Sequence, residues 1–378
     1  MLWVVIGFLL LATVFVSLAR AWDPRRPHGS SEPLVSILIP AYKSEKTIER
    51  CLRSVKELAY RNKEVIVVND YPDGTPSIVK SFGYKLINNK ERRGKAVSLN
   101  EAVKGAKGSI LFFMDSDTVV RRDCLDKVIP WFSVKRVGVV APKYVAMNRK
   151  GLVPRLVSLE NSYNSTMFRM HMLLGSMVSF RGCGIAIDRS VFRKMGGWSK
   201  TLIEDTDFAA KVTHAGYKIQ YEPRAIVETY EPDNFSDLRR QKLRWGRGAG
   251  FALFNNRKSY AGNVPGLSQF VPYVIMNLAI IISLFLSIGG TFQLSHIEAS
   301  IISSSLILAS ALAYIAVAVT IHNLIIMFPE RMKWTDALYV PLYTVLYLPL
   351  VLVCYVGGIA LGMVDRIKNK PDLNLKHW

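Results

Sequence analysis

Charge and apolar mass occupy different parts of this chain. Residues 1–19 carry no charged side chain, and residues 264–378 carry six Lys or Arg against five Asp or Glu, which leaves 43 against 24 between residues 20 and 263. Nearly all of the net charge of +20 therefore belongs to the middle. Beyond it lie three apolar stretches, Phe270–Ile288, Ile301–Ile321 and Leu338–Ala360. Each approaches the roughly 20 residues that about 30 Å of hydrocarbon requires. Residues 1–19 are a fourth candidate span, ending at Arg20 and a Pro-rich, basic linker over 20–33. That run has no basic stretch before it and no small-residue cleavage site after it, so it reads as a retained transmembrane helix rather than a signal peptide.

With 50% apolar residues the chain is no disordered polymer. Positively charged flanks stay in the cytoplasm, so the expectation is an integral protein of the cell membrane with its basic middle on the cytoplasmic side. Attraction to anionic membrane lipids accounts for the excess of cations, and no nucleic acid is needed as a partner. Cys51, Cys124, Cys183 and Cys354 have neither paired spacing nor a His cluster, which argues against a disulfide framework and a zinc site.

The middle alternates short buried-type strands with helical patterns: strands at Leu34–Pro40, Glu64–Val68, Tyr84–Ile87 and Ile110–Met114, and helices at Glu45–Leu58, from Pro76, and at Lys95–Ala106. Such alternation predicts crossover units and an α/β, Rossmann-like, mostly parallel sheet. Ligands of such sheets bind beyond the carboxyl ends of the strands. Ala41–Ser44, Asn69–Gly74 and Asp115–Asp117 are thereby placed along one rim.

Two aspartates two apart, Asp115 and Asp117, can turn both carboxylates toward one hard cation, Mg2+ or Mn2+, although the same pattern is common in turns and caps. Arg92, Arg93 and Lys95, beside Gly94, offer cations for phosphate or form a solvated basic surface. Glu204, Asp205 and Asp207 precede a helical pattern at Phe208–Ala215, which Gly216 ends. Capping accounts for one or two of these carboxylates, but three within four residues repel unless water, metal or a reacting proton relieves them. One of them therefore suits a general base. Gln241, Arg244 and Trp245 fit a charged helix end at a membrane surface, or a phosphate clamp beside a flat face for a sugar.

In this order, Ser36-Ile-Leu-Ile-Pro-Ala-Tyr42, Val67-Val-Asn-Asp70, Gly94-Lys-Ala96 with Leu99-Asn100, Asp115-Ser-Asp117, Glu204-Asp205 and Gln241-Lys-Leu-Arg-Trp245, the segments resemble the family 2 glycosyltransferases. The resemblance is to the GT-A fold members embedded in membranes that make hyaluronan, chitin, cellulose and poly-N-acetylglucosamine. It implies that Ala41, Tyr42, Asn69 and Asp70 surround the nucleobase and ribose, Lys95 lies near the diphosphate, Asp115 near the ribose and metal, and Asp117 on the metal. Asp205, with Glu204 beside it, would be the base that takes the acceptor proton. Gln241, Arg244 and Trp245 would hold the pyrophosphate and the sugar. Phe180, Gly182 and Cys183, with Trp245, would line the acceptor site. The chain departs from the family at Asn69, where a second aspartate is usual, and at Ile203, where Thr is usual.

The implied activity is an inverting, metal-dependent transfer of a sugar from a nucleotide-diphosphate sugar, UDP-linked, to a growing polysaccharide, with export through the chain's own helices. Rival readings are a transferase adding one sugar to a polyprenyl phosphate or other lipid acceptor, and a silent nucleotide-sugar-binding or transport protein. The expected layout is a membrane helix at 1–19, a linker at 20–33, the GT-A domain at 34–250, an interfacial segment at 251–265, about three membrane helices at 266–364 and a tail at 365–378. A homo-oligomer would widen so narrow a bundle into a polymer path. Pro341 and Pro349 predict a broken or re-entrant last helix.

Overall fold

The computed structural model describes residues 32–255 except 174 and 178, residues 334–368, and positions 14, 27, 320, 321, 323–325 and 327. Apart from single positions, the spans expected at 1–19, 270–288 and 301–321 lie outside the described residues.

Strands β1 (Val35–Ala41), β2 (Lys63–Asn69), β3 (Lys85–Asn88) and β4 (Ile110–Met114) run parallel in the order β3-β2-β1-β4. The crossovers carry helices α1 (Ile48–Lys56), α2 (Thr75–Ser81) and α3 (Lys95–Lys104). Every residue of β4 is buried, as a strand covered on both faces requires. Successive side chains go to opposite faces: Ile37 and Phe112 join the core that holds α1, while Leu38 and Phe113 join the core that holds α3.

Beyond β4 come β5 (Val119–Val120), α4 (Cys124–Val128), β6 (Val137–Ala146), the long α5 (Leu152–Leu173), β7 (Gly184–Asp188), α6 (Arg189–Lys194), α7 (Glu204–His214), β8 (Lys218–Thr229) and α8 (Phe235–Asn255). They complete an eight-stranded sheet, β3-β2-β1-β4-β7-β6-β8-β5. β7 runs antiparallel to both β4 and β6, so the sheet is mixed, with its parallel half as expected. The antiparallel step matters for the site: Gly184 pairs with Met114, which brings residues 180–183 to the rim where β4 ends.

At the C-terminal side, Thr335–Ile367 is one helical stretch of 33 residues, long and apolar enough to cross a membrane. Its last part is α9 (Leu348–Ile367). Within this stretch the interruption expected near Pro341 is present as a turn at 338–339, between the helical segments Trp334–Ala337 and Val340–Leu342, whereas the helix runs on through Pro349. A π-helical turn, Tyr343–Tyr347, sits just ahead of Pro349 and widens the helix where the ring would otherwise meet the carbonyl four residues back.

α8 lies directly on α9 along a seam of glycines. A Cβ on Gly246 would collide with the Tyr355 carbonyl, one on Gly358 with the Leu243 carbonyl, and one on Gly362 with the Arg247 carbonyl. Arg247 also pairs with Asp365 at 2.6 Å. The helix carrying Gln241, Arg244 and Trp245 is thus fixed on the apolar helix by backbone contact.

Candidate active site

Lys95 is the hub of the rim. It opens α3 directly after Gly94, whose φ of +84° suits glycine and lets the chain turn sharply into the helix. Asp70, at the end of β2, collects the donors of that helix start. Its carboxylate accepts from the Gly94 N–H at 2.8 Å, the Arg93 N–H at 3.2 Å, the Ser98 hydroxyl at 2.8 Å and the Asn89 amide. Asn69 is fully buried and donates to Asn88 Oδ1 at 3.0 Å. Asn69 Oδ1 is buried with no hydrogen-bond partner among the described residues. Asp70, also buried, fixes the segment that presents Lys95.

The Lys95 ammonium lies 2.9 Å from Asp115 Oδ1 and 3.1 Å from Glu204 Oε1. Burial disfavours its charge, but the carboxylates of Asp115, Glu204 and, farther off, Asp205 more than offset that, so its pKa is raised. Asp117 is pushed up to about 6, first by burial and then by the neighbouring Asp115 charge.

The three acidic residues of the second cluster open α7 itself, which begins at Glu204 rather than Phe208. Ile203 holds the N-cap position and makes no side-chain cap. Cations relieve most of their mutual repulsion. Glu204 takes Lys95, while Asp207 takes Lys211 at 2.8 Å and the Ser199 hydroxyl at 2.6 Å. Asp205 is held differently, by backbone donors: the Gly182 N–H at 2.9 Å to Oδ2 and the Thr206 N–H at 2.7 Å to Oδ1. Burial, then the Glu204 charge, push its carboxyl up to about 6, against Lys95 and those two N–H groups. A carboxylate with that pKa, held at a rim by fixed donors, is equipped to take a proton near neutral pH.

Of the expected acceptor residues, only part reaches this point. Phe180 belongs to one core and Cys183 to the other, at 4% and 8% exposure, because the side chains on either side of the turn alternate inward. Gly182 stands against the acids: a Cβ there would lie 3.4 Å from both Asp205 Oδ2 and Lys95 Nζ. On α8, Gln241 Oε1 is buried with no hydrogen-bond partner among the described residues. The Trp245 ring lies 4.4 Å from Lys242 Nζ and 5.6 Å from the Arg181 guanidinium.

Ala41 ends β1, where its carbonyl accepts the Asp70 N–H at 2.9 Å. At that end of the rim Tyr42 and Tyr71 meet edge to face at 5.1 Å, with Arg92 over Tyr42 at 4.3 Å and Lys43 over Tyr71 at 5.2 Å. A hydrogen bond of 2.7 Å between Ser44 and Ser116 joins the loops after β1 and β4. Tyr71 was invisible in the sequence as a partner of Tyr42. Only the register that sets Ala41 against Asn69 brings the two loops together.

Asp115 and Asp117 supply an oxygen-only donor pair that fits a hard divalent cation. The upward shift of Asp117 marks buried negative charge that its protein neighbours compensate incompletely. Among the described residues no cluster of three or more His, Cys, Asp or Glu side chains forms a fuller cage.

A mixed sheet with an acidic rim and a cation at its centre defines a GT-A domain. Residues 36–196 match the family model Glycosyl transferase family 2. The poly-beta-1,6-N-acetyl-D-glucosamine synthase of Staphylococcus epidermidis (strain ATCC 35984) is 29% identical over 222 residues, covering 57% of this chain and 54% of the relative. YdaM of Bacillus subtilis (strain 168) is 31% identical over 236 residues, covering 57% and 55%. The chain thus spans about half the length of the curated relatives it matches. A mannosyltransferase from Pyrobaculum calidifontis, solved with GDP-Man and Mn2+, superposes with a TM-score of 0.58 at 19% identity, covering 97% of this chain and 98% of that one. That likeness shows the fold.

Proposed function

We propose that the chain transfers a sugar, N-acetylglucosamine, from its UDP-linked form to a growing polysaccharide, with inversion and with a divalent cation bound. The observation that carries this reading is Asp205, raised to about 6 and held by the Gly182 N–H, on the same rim as the Lys95–Asp115 pair. The synthase name of the staphylococcal relative supports the sugar and the polymer.

Asp205 removes the proton of the acceptor hydroxyl as that oxygen attacks the anomeric carbon. The bond from that carbon to the diphosphate oxygen breaks, and UDP leaves with the electron pair. Lys95 and Arg244 offset the charge that grows on the leaving group. Asp115 and Asp117 would hold a divalent cation, which would supply electrostatic stabilisation of the leaving diphosphate. Tyr42, Tyr71 and Arg92 give the nucleobase a flat, cationic edge, and the buried, unpartnered Gln241 Oε1 suits a hydroxyl donor from the sugar. Trp245, with the Arg181 guanidinium and Lys242 over its ring, stacks the acceptor. The apolar helix Thr335–Ile367, joined to α8, supports seating in a membrane with the basic domain at the cytoplasmic surface.

The test is to incubate the purified chain with radiolabelled nucleotide sugars and size the product. Label from UDP-N-acetylglucosamine in a ladder or high polymer is expected. A single sugar on an extractable lipid, or no transfer, contradicts the reading.

A further inference from the structure

Lys242 stands at a position inside Gln241-Lys-Leu-Arg-Trp245 to which the motif assigns no role. It is nevertheless among the most thoroughly buried large side chains, at 2% exposure. A buried ammonium is costly unless it is paired. Its partner is Glu160 of α5, with both carboxylate oxygens at 2.7 Å. The same carboxylate accepts a 2.6 Å hydrogen bond from the Tyr347 hydroxyl, which comes from the π-helical turn of the apolar C-terminal helix. Burial disfavours the Glu160 charge, but Lys242 and the two hydrogen bonds outweigh it and hold its carboxyl below the usual range.

The next residue of α5 repeats the arrangement on a second cation. Asn161 Oδ1 accepts from Arg181 Nη1 at 3.1 Å, and Glu231 pairs with the same nitrogen at 2.9 Å. Among the described residues, Lys242 and Arg181 lie over the Trp245 ring. Each is anchored by a carboxylate, and the anchor of Lys242 is tied to the C-terminal helix.

We propose that Lys242, Glu160 and Tyr347 are positioning residues that set the orientation of the Trp245 ring and couple it to the C-terminal helix. In the sugar-transfer reading, on which this rests for its functional meaning, the chain Tyr347–Glu160–Lys242 keys the acceptor platform to the segment that follows the domain. Among the described residues, Tyr347 is linked to Trp245 through Glu160 and Lys242. A turn of π-helix is a locally adjustable element, which suits it to carry such a coupling.

The test uses the full chain labelled with fluorotryptophan, with the Trp245 resonance assigned by Trp245→Phe. Lys242→Met alone leaves Glu160 buried and unpaired and is prone to misfold. The informative variants are therefore Tyr347→Phe and the double variant Glu160→Gln with Lys242→Met, which removes both charges together. Both are expected to melt close to wild type and to shift or broaden the Trp245 fluorine resonance. With UDP-N-acetylglucosamine as donor and an N-acetylglucosamine tetramer as acceptor, acceptor KM should rise about tenfold while donor KM stays within about twofold. Lys242→Arg should restore both readouts toward wild type. An unmoved Trp245 resonance in both variants overturns the proposal whatever the turnover, and so does a parallel rise of donor and acceptor KM. A shifted resonance in a protein whose wild type transfers no sugar leaves the positioning standing and sinks the transfer reading instead.

Discussion

The backbone N–H of Gly182 donates to Asp205 Oδ2 across 2.9 Å, so the loop ahead of β7 fixes the carboxylate at the start of α7. That bond joins two segments that the antiparallel pairing of β7 with β4 brings to one rim. A glycine is suited to the place, since any side chain would stand against Asp205 and Lys95.

The first consequence concerns pH. Asp205 must be ionised to accept a proton, and its carboxyl is raised from 3.8 to about 6. Turnover should therefore fall as pH drops through about 6, in inverse proportion to proton activity, rather than near the ordinary carboxyl range. Stability carries the opposite sign. The contribution of this raised group is fully present below 3.8 and is lost as pH rises through about 6, because the folded state favours the proton. A pH–rate profile, with melting curves of wild type and Asp205→Asn from pH 4 to 8, checks both; an acid limb near pH 4 contradicts the first.

Divalent cations should be required. Chelation should remove transfer and Mn2+ should restore it. Asp117→Asn should weaken Mn2+ binding by at least the roughly 10- to 100-fold that outer partners of a metal contribute. Titration of free Mn2+ by electron paramagnetic resonance measures this directly. Full turnover in chelator would contradict the role given to Asp115 and Asp117.

The glycine seam predicts a packing defect. Gly246→Ala places a methyl group into the Tyr355 carbonyl and forces α8 away from α9. Overpacking of this kind costs about 1–3 kcal/mol. The measurement is denaturant unfolding of the detergent-solubilised chain, and an unchanged midpoint would mean that the helices do not touch there.

Much of this arrangement is legible in the sequence, and what is not has identifiable causes. β4 is read to the residue because a fully apolar run bounded by polar turns leaves little choice. The rim follows from strand alternation alone. The start of α7 is missed because Ile203 carries no capping side chain to announce it. The hold of Asp70 on the start of α3 has no signal in the sequence, because a motif match gives position along the chain and says nothing of which helix start will claim the carboxylate. The same applies to Phe180 and Cys183, whose neighbours along the chain face the site while they face the cores. Glu160 has no local signal at all: its partners lie 82 and 187 residues away, and only packing of α5 against α8 and the C-terminal helix unites them.

The central claim is that Asp205 is the base for sugar transfer. Its most direct test compares wild type with Asp205→Asn for release of radiolabelled sugar from UDP-N-acetylglucosamine into product, with UDP affinity measured by calorimetry on the same preparations. The variant should lose transfer by about 100-fold to 10,000-fold, the range typical of a general base, and keep UDP affinity within a few fold. Transfer at the wild-type rate in Asp205→Asn would contradict it.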